Sequence, residues 1–152
     1  RWIGFMKIFF PNCKIIHCNR DPKDNCLSIF KNNFPSTHMG WSFSQKDIAD
    51  YYNLYFDLMN FWNKLIPNFI LNLKYENLIN NVEYEIKQLL NFCELEWESN
   101  CLEFYKNKRP IKTASDIQVR NKIYNSSINK WKKYERFLNK YYDKLIVNNE
   151  NI

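Results

Sequence analysis

A guanidinium and a hydroxyl eight residues apart, Arg20 and Ser28, are the side chains in this chain best placed to do chemistry together. Before them, Ile15, Ile16 and Cys18 make a compact apolar run that suits a buried central strand. After Arg20, Asp21 suits a helix N-cap, Pro22 the first helical position, and Asp24 falls three residues beyond the cap. Arg20 therefore leaves a strand just where a helix begins. That is the end of the strands at which open α/β sheets bind ligands. Ser28 lies about two turns into the helix, at roughly 3.6 residues per turn. A bidentate guanidinium and a single hydroxyl donor carried on consecutive elements can close on one phosphate.

The elements that must hold these two groups are legible from hydrophobic spacing. Trp2 to Phe10 reads as a short helix ending before Pro11. Asn32 to Ser44 reads as a loop, marked by Pro35 and Gly40. Its aromatics (Phe34, Trp41, Phe43) and His38 either wall a substrate site or tuck onto the core. Gln45 to Leu65 is the clearest helix, with Ser44 as its cap and Ile48, Tyr52, Tyr55, Met59 and Trp62 on one stripe. Pro67 ends it. Phe69 to Lys74 follows as a second strand, and a strand–helix–strand crossover demands a parallel pair. Tyr75 and Glu76 then stand at the carboxyl end of that strand, beside Arg20. A Tyr there offers a flat face to a base or simply closes the strand end. Glu76 is either a base or, as we favour, a structural partner of a nearby Arg. His17, inside the first strand, reads as a satisfied core histidine. Further helices are expected over 81–93 and 97–105, and a final pair beginning at Ser126 or Ser127 presents Trp131, Tyr134, Leu138, Tyr141 and Leu145. Lys106 to Asn125 has no periodicity, and irregular stretches of that length usually serve function or are disordered.

Composition narrows the class. The chain has 152 residues, 45% hydrophobic and 18% aromatic, which is the make-up of one globular domain. Only two glycines are present, so a Gly-rich phosphate cradle is not expected within it. The net charge of +6 is uneven: twelve Lys and Arg against three acids lie between Lys106 and Lys144. Such a basic third suits a polyanion such as a nucleotide, a nucleic acid or an acidic surface, or else is a solvated face. Five cysteines without a Cys-x-x-Cys pair read as reduced thiols in a cytoplasmic protein, and two histidines at unrelated spacing give no zinc site, so no metal is expected. No apolar run is long enough to span a bilayer.

Five segments carry a resemblance. Arg20-Asp21-Pro22 with Ser28 resembles the 3′-phosphate motif of the sulfotransferases that use 3′-phosphoadenosine 5′-phosphosulfate. Phe10-Pro11-Asn12, Tyr75-Glu76-Asn77-Leu78, Thr113-Ala114-Ser115 and the run from Tyr124 to Trp131 are similar to its flanks, above all in the bacterial branch often fused to tetratricopeptide repeats. The resemblance implies a partial α/β fold of the P-loop-kinase-like, three-layer sulfotransferase type, with residues 1–147 as the carboxyl-terminal portion of the domain and 148–152 as a frayed tail. It implies that Arg20 and Ser28 clamp the 3′-phosphate, that Tyr75 borders the adenine, and that Ser115 contacts the nucleotide from the 106–127 loop. Asn125, Ser126 and Ser127 fall where relatives carry a basic residue followed by Gly, a departure; backbone amides at the start of the last helix can still hold phosphate oxygen.

The implied activity is transfer of a sulfuryl group to a hydroxyl or amine of an unknown acceptor, whether small molecule, glycan or protein, leaving adenosine 3′,5′-bisphosphate. The 5′-phosphosulfate loop of the family has no counterpart here, so an upstream part of the same protein is expected to complete the site. No catalytic residue is assigned. Two other functions compete. A nucleotide or small-molecule kinase would need Mg²⁺ ligands and a Gly-x-x-x-x-Gly-Lys loop, which the chain does not contain. A basic RNA-binding module would interleave aromatics with cations, whereas the aromatics here recur at helical core spacing, so no nucleic-acid partner is expected.

Overall fold

The structure is a computed structural model that describes residues 1–32, 34, 37–107, 109, 120–123 and 126–145, with the side chains of Thr37, His38 and Asn139 excepted. Two strands, β1 (Ile15–Asn19) and β2 (Ile70–Lys74), pair in parallel from Ile15↔Ile70 to Asn19↔Lys74. Helices flank this small sheet, as expected of a partial α/β sulfotransferase-type fold. The crossover between the strands carries α2 (Pro22–Lys31), a 3₁₀ stretch (Thr37–Phe43) and the long α3 (Gln45–Leu65). After β2 come α4 (Tyr75–Asn80), α5 (Val82–Phe92), 3₁₀ turns over Ser99–Lys106 and Lys130–Tyr134, and α6 (Glu135–Tyr142). A short α1 (Ile3–Phe9) precedes the sheet. It lies so close to α3 that a Cβ on Gly4 would stand 2.7 Å from the Trp62 ring.

The local signals act where they should. The Asp21 side chain caps α2 by accepting the Asp24 amide at 2.9 Å, with Pro22 in the first turn. Ser44 caps α3 by accepting from the Asp47 amide. The stripe on α3 divides between two cores. Ile48, Ala49 and Tyr52 meet Cys26 and Leu27 of α2 and Leu138, Tyr142 and Leu145 from the last helix region. Met59 meets Phe69 and Ile70, with Ile15 and Trp62 against them. The helix expected over 81–93 is α5, with Asn81 in the N-cap position; a separate short helix, α4, precedes it and begins at the strand's end. In α6 Leu138 and Tyr142 are buried, and Tyr141, partly buried, packs against the same core.

The first strand differs from the expected buried run. Ile15, His17 and Asn19 are half-buried, whereas Ile16 and Cys18 are exposed. The pleat sends alternate side chains to opposite faces, and α3 covers only one of them. On that covered face His17 is partnered as a core histidine should be. Its Nδ1 faces Asn72 Oδ1 at 2.7 Å across the strand pair, and its Nε2 meets the Tyr55 hydroxyl. Asn72 Nδ2 in turn donates to Asn63 Oδ1 at 3.2 Å.

All five cysteines are free, and their settings differ. Burial, helped by the negative charge of Asp21, pushes the Cys26 thiol up from 9.0 to about 12. The exposed Cys18 therefore reacts with iodoacetamide in the folded protein while Cys26 waits for unfolding, an order that peptide mass mapping with and without denaturant reads directly. The same shift sets a pH dependence. The folded thiol outlasts the unfolded one, so its contribution to stability is complete below about 9 and is lost as pH rises from about 9 to about 12. No described helix is long and apolar enough to cross a membrane.

Candidate functional site

The parallel register places the carboxyl ends of both strands side by side, with Asn19 opposite Lys74. The two segments that leave them are tied together by Glu76, whose Oε1 accepts the Asp21 amide at 2.9 Å. Glu76 thus partners a backbone N–H at the start of α2 rather than an arginine. An amide in the strand–helix turn has no helical acceptor of its own, and the carboxylate beyond the neighbouring strand supplies one.

This tie brings Arg20 over Tyr75. The guanidinium carbon stands 5.0 Å from the centre of the Tyr75 ring, a cation–π geometry that also holds the planar fork in place. Arg20 Nη2 donates to the carbonyl of Ser127, and the Tyr75 hydroxyl lies 3.5 Å from Ser127 Oγ. Three of the residues singled out in the sequence, Arg20, Tyr75 and Ser127, therefore share one site although they come from three distant segments.

Asp24 completes the arrangement. The residue is 2% exposed. One carboxylate oxygen accepts the Asn129 amide at 2.6 Å, the other accepts the Trp131 amide at 2.9 Å, and Arg20 Nη2 lies 3.8 Å away. A buried carboxylate is tolerated only when charge-assisted bonds of this kind replace its water. Asn129 takes up a left-handed backbone, φ 56°, which Asn adopts more readily than most residues and which turns its amide toward Asp24. Lys23, next to Asp24, lies 4.2 Å over the Trp131 ring and adds a second cation to this end of α2.

These contacts revise one expectation. Ser126 and Ser127 do not cap the final helical segment. They lie in a turn, Ser126 exposed and Ser127 half-buried, and Asn129 occupies the cap position. The amides of Asn129 and Trp131, at the start of that segment, are spent on Asp24, because a buried anion from α2 reaches them first. Ser28 sits two turns into α2, half-buried, and its carbonyl accepts Asn32 Nδ2 at 2.9 Å. No hydrogen bond among the described residues joins its hydroxyl to Arg20. Ser115 and Asn125 lie outside the described residues. Sequence reasoning read Asp24 only as a first-turn acid; its one signal was an acid at the third helical position, too common to mark a buried carboxylate.

The site retains unspent polar atoms. Among the described residues, Arg20 Nε is buried without a hydrogen-bond partner, as are Glu76 Oε2 and Asn19 Oδ1. A buried guanidinium donor left unpaired costs stability unless something accepts from it. Arg20 is held by its aromatic and carbonyl neighbours, is 23% exposed, and keeps a donor for an anion.

The profile of the sulfotransferase family matches residues 1–99, the segment that contains both strands, Arg20, Asp24, Tyr75 and Glu76. An "Uncharacterized protein" of Aquifex aeolicus (strain VF5) is 43% identical over 139 residues, which cover 90% of this chain and 18% of the relative. This chain therefore spans about a fifth of that relative's length. Because the family profile covers residues 1–99, well over half of the chain, this chain belongs to the sulfotransferase family.

Proposed function

We propose that this chain binds the 3′-phosphoadenosine end of 3′-phosphoadenosine 5′-phosphosulfate and serves sulfuryl transfer to a hydroxyl or amine acceptor. The observation that carries the reading is Arg20. It is a cation at the carboxyl end of a parallel strand, oriented by Tyr75, Asp24 and Ser127, with a buried donor that has no partner among the described residues. Family membership supports the reaction class.

Each residue then has a physical task. Arg20 takes the 3′-phosphate, since a fixed fork matches phosphate oxygens better than a point charge does. Ser28 is a second donor to the same phosphate and approaches it when the ligand, rather than Arg20, is the acceptor. Tyr75 presents its ring beside Arg20 as a border for the adenine. Ser127 lines the turn behind the guanidinium, Ser126 lies in the same turn, and Asn125 and Ser115 are the further nucleotide contacts that the family resemblance suggests. Asp24 and Glu76 touch no ligand in this scheme; they position Arg20 and the two segments around it. When bound, 3′-phosphoadenosine 5′-phosphosulfate supplies the sulfuryl group. The chain's own contribution is to fix the nucleotide so that the reacting end has one orientation.

Calorimetric titration with adenosine 3′,5′-bisphosphate and with adenosine 5′-monophosphate tests the proposal. The two ligands differ only in the 3′-phosphate. A charged hydrogen-bonded group contributes about 1.5–3 kcal/mol, so the bisphosphate should bind about 10- to 150-fold more tightly. Equal affinities would remove the 3′-phosphate site and the cosubstrate with it.

A further inference from the structure

The outer face of α6 carries cations that the strand-end site does not use. Leu138 and Tyr142 turn inward and, with Leu145 beyond the helix, join the core of α2 and α3. Arg136, Phe137 and Lys140 are exposed, and so are Lys133, about a turn before them, and Lys144, about a turn after. Residues three and four positions apart share a helix face, so these five side chains form one outward stripe. The segment from Lys130 to Leu145 holds six Lys and Arg against two acids, Glu135 and Asp143. Among the described residues, no ion pair engages any of the four cations of the stripe.

Phe137 stands in the middle of this stripe and is 62% exposed. The Arg136 guanidinium carbon lies 4.6 Å from the centre of its ring. Lys140 Nζ lies 5.6 Å from the centre of the Tyr141 ring. Tyr134, one turn before Leu138, adds a second ring that is well exposed. Cations over rings keep their alkyl stems against apolar surface and their charges outward. A large apolar ring held out from the core among cations can meet negative charge and hydrocarbon together.

We propose that the outer face of α6 docks on an anionic lipid bilayer, with Lys133, Arg136, Lys140 and Lys144 among the headgroups and Phe137 entering the boundary beneath them. The stripe runs about 17 Å, at roughly 1.5 Å per residue, along the convex back of a helix. A convex face encloses no single small anion, but it can lie on an extended array of negative charge. Single-stranded nucleic acid is held by rings that stack on successive bases. Here one ring stands among the cations, and Arg136 covers its face. A bilayer asks only for the edge of that ring and for charges that follow a flat negative surface. This is attachment to a surface and not passage through it. The claim stands apart from the nucleotide reading, since the stripe shares no residue with the Arg20–Tyr75–Ser127 cluster.

Co-sedimentation with vesicles tests the proposal, using phosphatidylserine and phosphatidylcholine in equal parts against phosphatidylcholine alone. We expect the protein to sediment with the anionic vesicles only, and binding to weaken steeply as sodium chloride is raised. Each Lys or Arg near an anionic leaflet tightens binding about fivefold, so Arg136→Gln with Lys140→Gln should weaken it about 25-fold. The same loss of charge at Lys7 and Lys64, exposed cations on α1 and at the far end of α3, should weaken it less than about threefold. Phe137→Ala keeps every charge and should still weaken binding at least about threefold through the lost apolar contact. All five positions are exposed, and thermal melts check that each variant folds as the wild type does. Failure to sediment with anionic vesicles overturns the proposal, as does equal sedimentation with phosphatidylcholine alone. Equal losses in the two double variants overturn it too, because net charge and not the stripe would then govern binding. An unchanged affinity in Phe137→Ala overturns the placement of the ring. Binding to poly-uridylate without binding to vesicles gives the face to nucleic acid and overturns the lipid assignment.

Discussion

If Arg20 holds the 3′-phosphate as proposed, Arg20→Ala should end the contribution of that phosphate to nucleotide affinity. Binding of adenosine 3′,5′-bisphosphate falls to that of adenosine 5′-monophosphate, a loss of about 1.5–3 kcal/mol for one charge-assisted contact. The reasoning rests on how little else near Arg20 can replace it. Lys23 is adjacent but engaged over the Trp131 ring, and Tyr75 offers a face rather than a charge. Arg20→Lys separates charge from geometry. An ammonium keeps the attraction but cannot present two parallel N–H groups, so its affinity should fall between the wild type and Arg20→Ala. Because Arg20 also donates to the Ser127 carbonyl, thermal melts must accompany the titrations. A folded Arg20→Ala protein that still prefers the bisphosphate as strongly as the wild type would rule Arg20 out as the phosphate ligand.

Asp24→Ala strikes the fold rather than the ligand. It strips two backbone amides, those of Asn129 and Trp131, of their acceptor and takes the counter-charge from Arg20 at a buried position. Removing one partner of a buried charged pair costs about 3–5 kcal/mol, a large share of the roughly 5–15 kcal/mol that holds a typical domain together. Urea denaturation should show that loss. Hydrogen exchange adds a local readout: the amides of Asn129 and Trp131 should lose protection first, since they depend on Asp24 directly. Asp24→Asn keeps one acceptor oxygen and should cost less, about 1–3 kcal/mol for the group left unsatisfied. Wild-type stability in Asp24→Ala would mean that the 126–131 segment is held by its apolar contacts alone, through Trp131 on the core.

Asp24 also explains why Arg20 stays available to an anion. An arginine facing a free carboxylate would be neutralised by it. Here both carboxylate oxygens are committed to backbone amides at 2.6 and 2.9 Å, while the guanidinium stands farther off at 3.8 Å. The carboxylate orients the guanidinium without closing on it in a bidentate pair, which is the geometry that would consume the fork.

What the sequence determined by itself is local. Asp21-Pro22 set the start of α2, Ser44 set that of α3, and the 3- and 4-residue spacing from Ile48 to Leu65 set the length of α3, because caps and periodicity act within a turn or two of the chain. The parallel pairing followed too, since a strand, a long helix and a strand leave no other way to pair. The nearness of Arg20 to Tyr75 came with it, as both stand at strand ends on the same edge. Tertiary structure alone decided the rest. Asp24 reaches amides more than a hundred positions along the chain, and nothing in the spacing of 126–131 names a carboxylate on α2 as their acceptor. Glu76 selected the Asp21 amide over an arginine because that amide lay unpaired across the strand ends. The exposure of Ile16 and Cys18 was hidden for the same reason: an apolar run specifies that a strand forms, and only the packing of α3 on one face decides which of its side chains are covered.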